Sequence, residues 1–352
     1  MKRALKIFDL RSDTVTKPNA KMLQAMFNAE VGDDVYGEDP TVNRLQKKCA
    51  EIFGMEAGLF VASGTMGNLV SLLTHCKRGE SVILGDRSHI NVYEQGGISA
   101  LGGIFPTPVP NQEDGTLRTS DILSKILKEN IHFSRPKVIA IENTHNICGG
   151  KALNVDYIRE IVRIKEENKL KLHIDGARIF NAYYALKETN NRLDPKDLTR
   201  GADSVNICFS KGLCCPIGSV IVGSESFIQE ALRNRKIVGG AMRQVGHVAA
   251  AALEALDSVE EIITSDHLKT KKLYKGLKEI GCDVDAPTSN ILLFTPPKPF
   301  LPSQFVTLMK ERNVLGSVAY TNKIRFIPNS GTSNEDINEL LEIIKQIIKT
   351  KA

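Results

Sequence analysis

The 352-residue chain has no tryptophan, and its cysteines are few and poorly arranged for cross-linking. They stand at Cys49, Cys76, Cys148, Cys208, Cys214, Cys215 and Cys282, an odd number with no C-x-x-C pair. This argues against a disulfide framework and against structural zinc, so no metal is expected. Adjacent Cys214 and Cys215 read as small apolar packing rather than a soft-metal site. No apolar run is long enough to span a bilayer. The start, Met1-Lys2-Arg3-Ala4-Leu5-Lys6, reaches Asp9 before any long apolar run develops, unlike a secretory signal. A reducing, cytoplasmic setting without a membrane partner is the expectation. Also missing are the Walker pattern G-x-x-x-x-G-K-[ST] and G-x-G-x-x-G, so a nucleotide has no specific support. The net charge of +5 is spread over many Lys and Glu in helical patterns, a solvated surface rather than a nucleic-acid face. Repeats, low-complexity segments and long linkers are absent.

What remains is an ordinary globular composition with a strong α/β alternation. Short apolar runs at 59–62, 81–84, 138–142, 170–174, 204–209 and 219–222 read as buried strands. Helical patterns at 42–53, 66–76 and 155–167 lie between them, favouring a mostly parallel sheet with helices on both faces. The character changes after about Arg243. A long amphipathic segment, 247–280, leads to shorter elements at 291–294, 302–312 and 324–327 and a final helix from Asn334. The expected division is an N-terminal arm at 1–20, a large domain at 21–245 and a small α+β C-terminal domain at 246–352. The turn-rich 8–19 stretch reads as an ordered arm rather than a strand.

Two of the runs end in charge at the same edge. One closes on His173-Ile174-Asp175-Gly176-Ala177-Arg178, the other on Phe209-Ser210-Lys211-Gly212. Open α/β sheets bind ligands at the carboxyl ends of their strands. An Asp and a Lys brought there separately suit pyridoxal 5'-phosphate (PLP): the Lys forms a Schiff base with the aldehyde, and the Asp keeps the pyridine nitrogen protonated. Ser63-Gly64-Thr65-Met66-Gly67-Asn68 follows a strand and opens a helix, a turn whose free N–H groups hold a phosphate. His89, past the 81–84 strand, is placed to stack on the pyridine ring. His145, past 138–142, is a candidate for a substrate hydroxyl. Arg178 lies beyond Asp175, near the cofactor's phenolic oxygen. Arg325, on a small-domain strand, has the fork that suits an α-carboxylate. His173 reads as structural, and His75, His132 and His267 carry no assigned chemistry.

Together these residues resemble the L-threonine aldolases, low-specificity or allo-type, within the PLP-dependent fold-type I superfamily (the aspartate aminotransferase fold). The resemblance runs nearly the whole length through Asp9–Thr16, Val31–Pro40, Ser63–Asn68, Ile141–Asn146, His173–Arg178 and Ser210–Leu213. It implies a PLP site with Lys211 as the Schiff-base lysine, Asp175 at the pyridine nitrogen, Gly64 and Thr65 on the phosphate, and His89 on the ring. Ser12 and Arg325 would take the substrate carboxylate, and His89 and His145 would flank the β-hydroxyl as catalytic candidates. Tyr36, Lys236 and Arg243 match family positions near a site shared between subunits, which implies a homotetramer built as a dimer of dimers. The implied reaction is reversible retro-aldol Cα–Cβ cleavage of L-threonine or L-allo-threonine to glycine and acetaldehyde. The nearest alternative is another PLP-dependent reaction of a small amino acid, β-elimination or transamination. One departure stands out: after Arg325 the family's short apolar–Thr–His run is replaced by Phe326-Ile327-Pro328-Asn329-Ser330.

Overall fold

The computed structural model describes residues 6–350. Its first strand is β1 (Phe8–Asp9). The central sheet uses β2 (Ala57–Val61), β3 (Ser81–Gly85), β4 (Phe105–Val109), β5 (Pro136–Glu142), β6 (Lys171–Gly176), β7 (Ser204–Cys208) and β8 (Ser219–Gly223), in the order β2-β8-β7-β6-β5-β3-β4. Only β8 runs against the other six. Every residue of β3, β7 and β8 is buried, which is why their sequences are nearly continuous apolar runs. Strand β4 escapes the apolar-run reading because Pro106 and Pro108 interrupt it. It lies at the sheet edge, where the missing N–H groups cost no ladder bonds.

The small C-terminal part holds β9 (Asp283–Val284), β10 (Leu292–Thr295), β11 (Val314–Leu315), β12 (Ser317–Val318) and β13 (Ile324–Phe326). Four of these form an antiparallel sheet in the order β12-β13-β10-β9. The remaining one, β11, pairs in parallel with β1. The arm is therefore a short strand at its start, contrary to its turn-rich sequence. Phe8 and Leu10 are buried in the small core, and Leu10 O accepts the Ile327 N–H at 2.9 Å. Burial of these two side chains outweighs the local turn preference.

The 247–280 segment is two helices, Gly246–Asp257 and Val259–Glu279, interrupted at Ser258. The first buries Ala249, Ala251, Ala252 and Ala255 against the helices Ala20–Phe27 and Pro40–Phe53 in the large core. Small side chains allow that close approach. The second carries Ile263 in the large core but Leu273 and Leu277 in the small one. Val259–Glu279 thus contributes to both cores.

Candidate active site

Register places the chemistry. Glu142 at the end of β5 pairs with Asp175 on β6, and Asp175 pairs with Asn206 on β7. The strand ends thus present Glu142, Asp175 and the loop carrying Lys211 along one edge. Asp175 is 1% exposed. Its Oδ1 accepts the Ala177 N–H at 3.0 Å, and its Oδ2 accepts Asn68 Nδ2 at 2.8 Å. Asn68 comes from the helix Gly64–His75, whose N-cap Ser63 Oγ accepts the Met66 N–H. Gly67 is the position in this turn that excludes a side chain: a Cβ there would lie 2.3 Å from Asn206 Oδ1. At Gly64 a Cβ would meet nothing closer than 3.6 Å.

Behind Asp175 runs a largely buried polar chain. Asn68 Oδ1 accepts from Asn206 Nδ2 at 2.9 Å and faces His173 Nε2 at 3.1 Å. His173 Nδ1 meets Ser204 Oγ, which also meets His75 Nε2, each at 2.8 Å. Burial lowers both His173 and His75 to about 3, so both stay neutral. His173 is buried with both ring nitrogens partnered, and His75, assigned nothing from sequence, belongs to the same chain.

Lys211 sits half-buried in a pinned turn. Its carbonyl accepts Thr16 Oγ1 at 2.7 Å and the Cys214 N–H at 2.9 Å. Burial would raise the Cys208 thiol, but the Lys211 charge and bonds from Ser210, Ser219 and Lys211 outweigh it and lower it. Arg178 is also buried, and Asp13 takes its Nε at 2.8 Å and Nη2 at 2.6 Å. Burial opposes the ionised form of Asp13. Arg178, the charge of Lys211 and a bond from Asn290 nevertheless hold its carboxyl at about 2. Asp13 lies inside the N-terminal motif but had no assigned role; only the fold shows that it fastens the arm to Arg178.

His89 opens a short helix and lies against Asp175. The heteroatoms of His89, Glu94 and Asp175 all fall within 4.8 Å of one another. Its Nδ1 meets Glu94 Oε1 at 2.8 Å, and its backbone N–H donates to Glu142 Oε2 at 2.7 Å. His145 is 1% exposed; its Nδ1 accepts the Cys148 N–H at 3.4 Å, and its Nε2 is buried with no partner. Gly115, at φ +84°, lies where a Cβ would be 2.8 Å from His145 Cβ.

Arg325 reaches across from β13. Nη1 donates to Asn146 Oδ1 and Nη2 to Arg11 O, both at 3.1 Å, so the guanidinium lies beside Ser12 in the chain. Its Nε is buried without a partner. Burial and the nearby Arg178 charge lower the Arg325 pKa. A half-buried cation with an unused buried donor, next to a second cation, is a receptor for an anion. The departure at 326–330 leaves this Arg in place: Asn329 Nδ2 donates to Asp9 O, and Cys214 Sγ bonds Ser330 Oγ.

Tyr36, Lys236 and Arg243 lie around the turn at 33–36. Arg243 Nη1 donates to Asp33 at 2.9 Å, while Tyr36 is 76% exposed. Lys236 lines a hollow with Val35, Leu232, Ile237 and Ala241. The hollow adjoins the first turn of Gly64–His75, since a Cβ at Gly240 would lie 2.6 Å from Met66 Sδ.

Residues 9–295 match the family model described as Beta-eliminating lyase. A probable low-specificity L-threonine aldolase 2 of Arabidopsis thaliana is 45% identical over 351 residues, covering 97% of this chain and 98% of its own. The low specificity L-threonine aldolase of Escherichia coli K12 is 42% identical over 334 residues, covering 95% and 97%. The chain belongs to the low-specificity L-threonine aldolase family. Threonine aldolases are carbon–carbon lyases, and their cofactor is PLP. A solved threonine aldolase of Leishmania major superposes with a TM-score of 0.82 over 97% of this chain and 99% of its own, at 21% identity, showing the shared fold. The threonine-aldolase site here suits PLP on its own geometry: a buried, doubly hydrogen-bonded carboxylate, a lysine in the turn after the neighbouring strand, an open helix start, and the orphaned Nε2 of His145 and Nε of Arg325.

Proposed function

We propose that this chain reversibly cleaves L-threonine and L-allo-threonine to glycine and acetaldehyde. The observation that carries the reading is the grouping of Asp175, His89 and Lys211 at one sheet edge with Arg325 facing it, its Nε unpartnered. Bound PLP supplies an electron sink for the pair released when the Cα–Cβ bond breaks.

The chain's own residues do the rest. Lys211 would hold the cofactor through its amine. Asp175, fixed by Asn68 and Ala177, keeps a carboxylate at the pyridine nitrogen. Gly64 and Thr65 hold the phosphate at the helix start, with Lys236 and Arg243 beside that turn. Arg178 has two of its nitrogens on Asp13, leaving Nη1 for the phenolic oxygen. Arg325 and Ser12 would clamp the α-carboxylate and so fix how the substrate is turned before the Cα–Cβ bond breaks. His89 and His145 flank the β-hydroxyl, whose proton must leave as the bond breaks.

The hollow beside Lys236, with exposed Tyr36 and Ile237 around it, supports a shared face between subunits and a homotetramer. Seven free, buried cysteines suit a reducing, cytoplasmic setting. Among the described residues no helix is long and apolar enough to cross a membrane.

The test is an absorbance spectrum of the purified protein with PLP, then acetaldehyde detection after adding each threonine isomer. Acetaldehyde from either isomer, abolished in Lys211→Ala, supports the reading. The family model's description favours β-elimination as the second reading, so 2-oxobutanoate and ammonia from threonine without acetaldehyde would replace the aldolase by that lyase.

A further inference from the structure

We propose that Glu94 is a positioning residue: it holds His89 with a proton on Nδ1 and, through Asn68, holds Asp175 in the same frame. The inference rests on the reading that His89 and Asp175 face the cofactor ring.

Glu94 is buried, and its Oε1 receives two bonds of 2.8 Å, one from His89 Nδ1 and one from Asn68 Nδ2. A carboxylate only accepts, so the ring proton opposite it sits on Nδ1. Among the described residues no hydrogen bond engages His89 Nε2, and the side chain is 32% exposed. The acceptor nitrogen is therefore the one left for a ligand.

The amide of Asn68 cannot be turned round. Its Nδ2 faces two carboxylates, Glu94 and Asp175, and its Oδ1 faces the donors Asn206 Nδ2 and His173 Nε2. Flipping it would set an oxygen against both carboxylates. One amide thus ties the group that orients the histidine to the group assigned to the pyridine nitrogen. Because His173 is neutral, its single proton lies on Nε2, and Ser204 completes the chain.

A structural filler does not need this charge. Burying Glu94 near Asp175 sets two carboxylates close together, which a neutral residue would avoid. Burial raises the Glu94 carboxyl and Asp175 raises it further, against bonds from His89 and Asn68. Burial lowers His89, but the Glu94 bond and the charges of Asp175, Glu94 and Glu142 outweigh it and raise His89. The groups facing the pair are Asp175 from β6, Glu142 from β5, Asn68 from the helix Gly64–His75 and the tilted ring of Tyr93. Glu94 is the one that touches the imidazole nitrogen.

The experiment is nitrogen NMR of histidine-labelled protein, with and without PLP, for wild type, Glu94→Gln and Glu94→Leu, with His89 assigned through His89→Asn. Wild-type His89 is expected to carry its neutral-form proton on Nδ1. Glu94→Gln keeps the acceptor and removes the charge, so the Nδ1 proton stays and the midpoint falls by about one pH unit. Glu94→Leu loses the Nδ1 preference, and kcat for acetaldehyde release falls at least about tenfold with KM nearly unchanged. A neutral wild-type ring protonated on Nε2, or an unchanged midpoint in Glu94→Gln, overturns the proposal. The Gln arm decides if the Leu variant does not fold. NMR behaving as expected without acetaldehyde from wild type would sink the aldolase reading and leave the positioning role standing.

Discussion

At the residue scale, the site is a set of buried charges that must be matched. The pairing of Asp13 with Arg178 is bidentate and fully enclosed. Asp13→Asn leaves the guanidinium without its counter-charge and is expected to cost about 3–5 kcal/mol in denaturant unfolding. Because the folded carboxyl is held at about 2, below its unfolded value of about 3.9, its contribution is complete above the unfolded value and disappears as pH falls toward 2. The Asn variant should lack that acid-dependent loss. Arg325 makes a separate prediction. Arg325→Lys keeps a charge but loses the fork, and each charge-assisted bond is worth about 1.5–3 kcal/mol, so KM for threonine should rise about 10- to 100-fold. Steady-state kinetics with both isomers checks this, and an unchanged KM would remove Arg325 from the carboxylate site. The Lys, Asp and Arg of the site were legible because their residue types are chemically specific. Glu94 was not: a Glu five positions after a His carries no periodic or motif signal, and its partner is chosen by the fold.

At the element scale, the helix Gly64–His75 does more than offer the proposed phosphate turn. Its inner face supplies Asn68 to Asp175 and His75 to Ser204, so it locks strands β6 and β7 together. Both histidines of this chain are neutral when folded and protonate at about 6.5 when unfolded. Their stabilisation is present above pH 6.5 and lost as pH falls, at up to about 1.4 kcal/mol per pH unit for each. Denaturant midpoints between pH 7 and 5 should drop in wild type, and less so in His75→Gln. Gly67→Ala tests the same contact from the other side, since its Cβ would displace Asn206. Reduced PLP retention is the expected outcome, measured by dialysis and absorbance. The buried strands were legible from apolar runs alone, whereas edge strand β4 was hidden by its prolines. The 247–280 periodicity is continuous in sequence, and the break at Ser258 appears only in the fold.

At the scale of the whole molecule, the arm is the connector. Its Phe8 and Leu10 fill the small core, its Arg11 carbonyl meets Arg325, and its Asp13 meets Arg178 in the large part. The proposed substrate clamp therefore depends on three chain segments that are far apart in sequence. The hollow lined by Val35, Leu232, Ile237 and Ala241 bears on assembly. Ile237 is 78% exposed, and Ile237→Glu places a charge where the proposed subunit face lies. Sedimentation should show a smaller assembly than wild type, with weaker PLP retention because the hollow adjoins the phosphate turn. An unchanged assembly in this variant would move the interface elsewhere.

The sequence by itself determined the alternating α/β order, the strand-end positions of Asp175 and Lys211, and the motifs that place the chain in its family. Those properties are local: an apolar run, a turn and a charged residue after it are all adjacent in the chain. The tertiary structure alone decided the partners. It joined Asp13 to Arg178, Glu94 to His89, Asn68 to two carboxylates, and the helix Gly246–Asp257 to the large core. Each of these contacts is set by how separate elements pack, and a buried charge takes the partner that packing brings within reach.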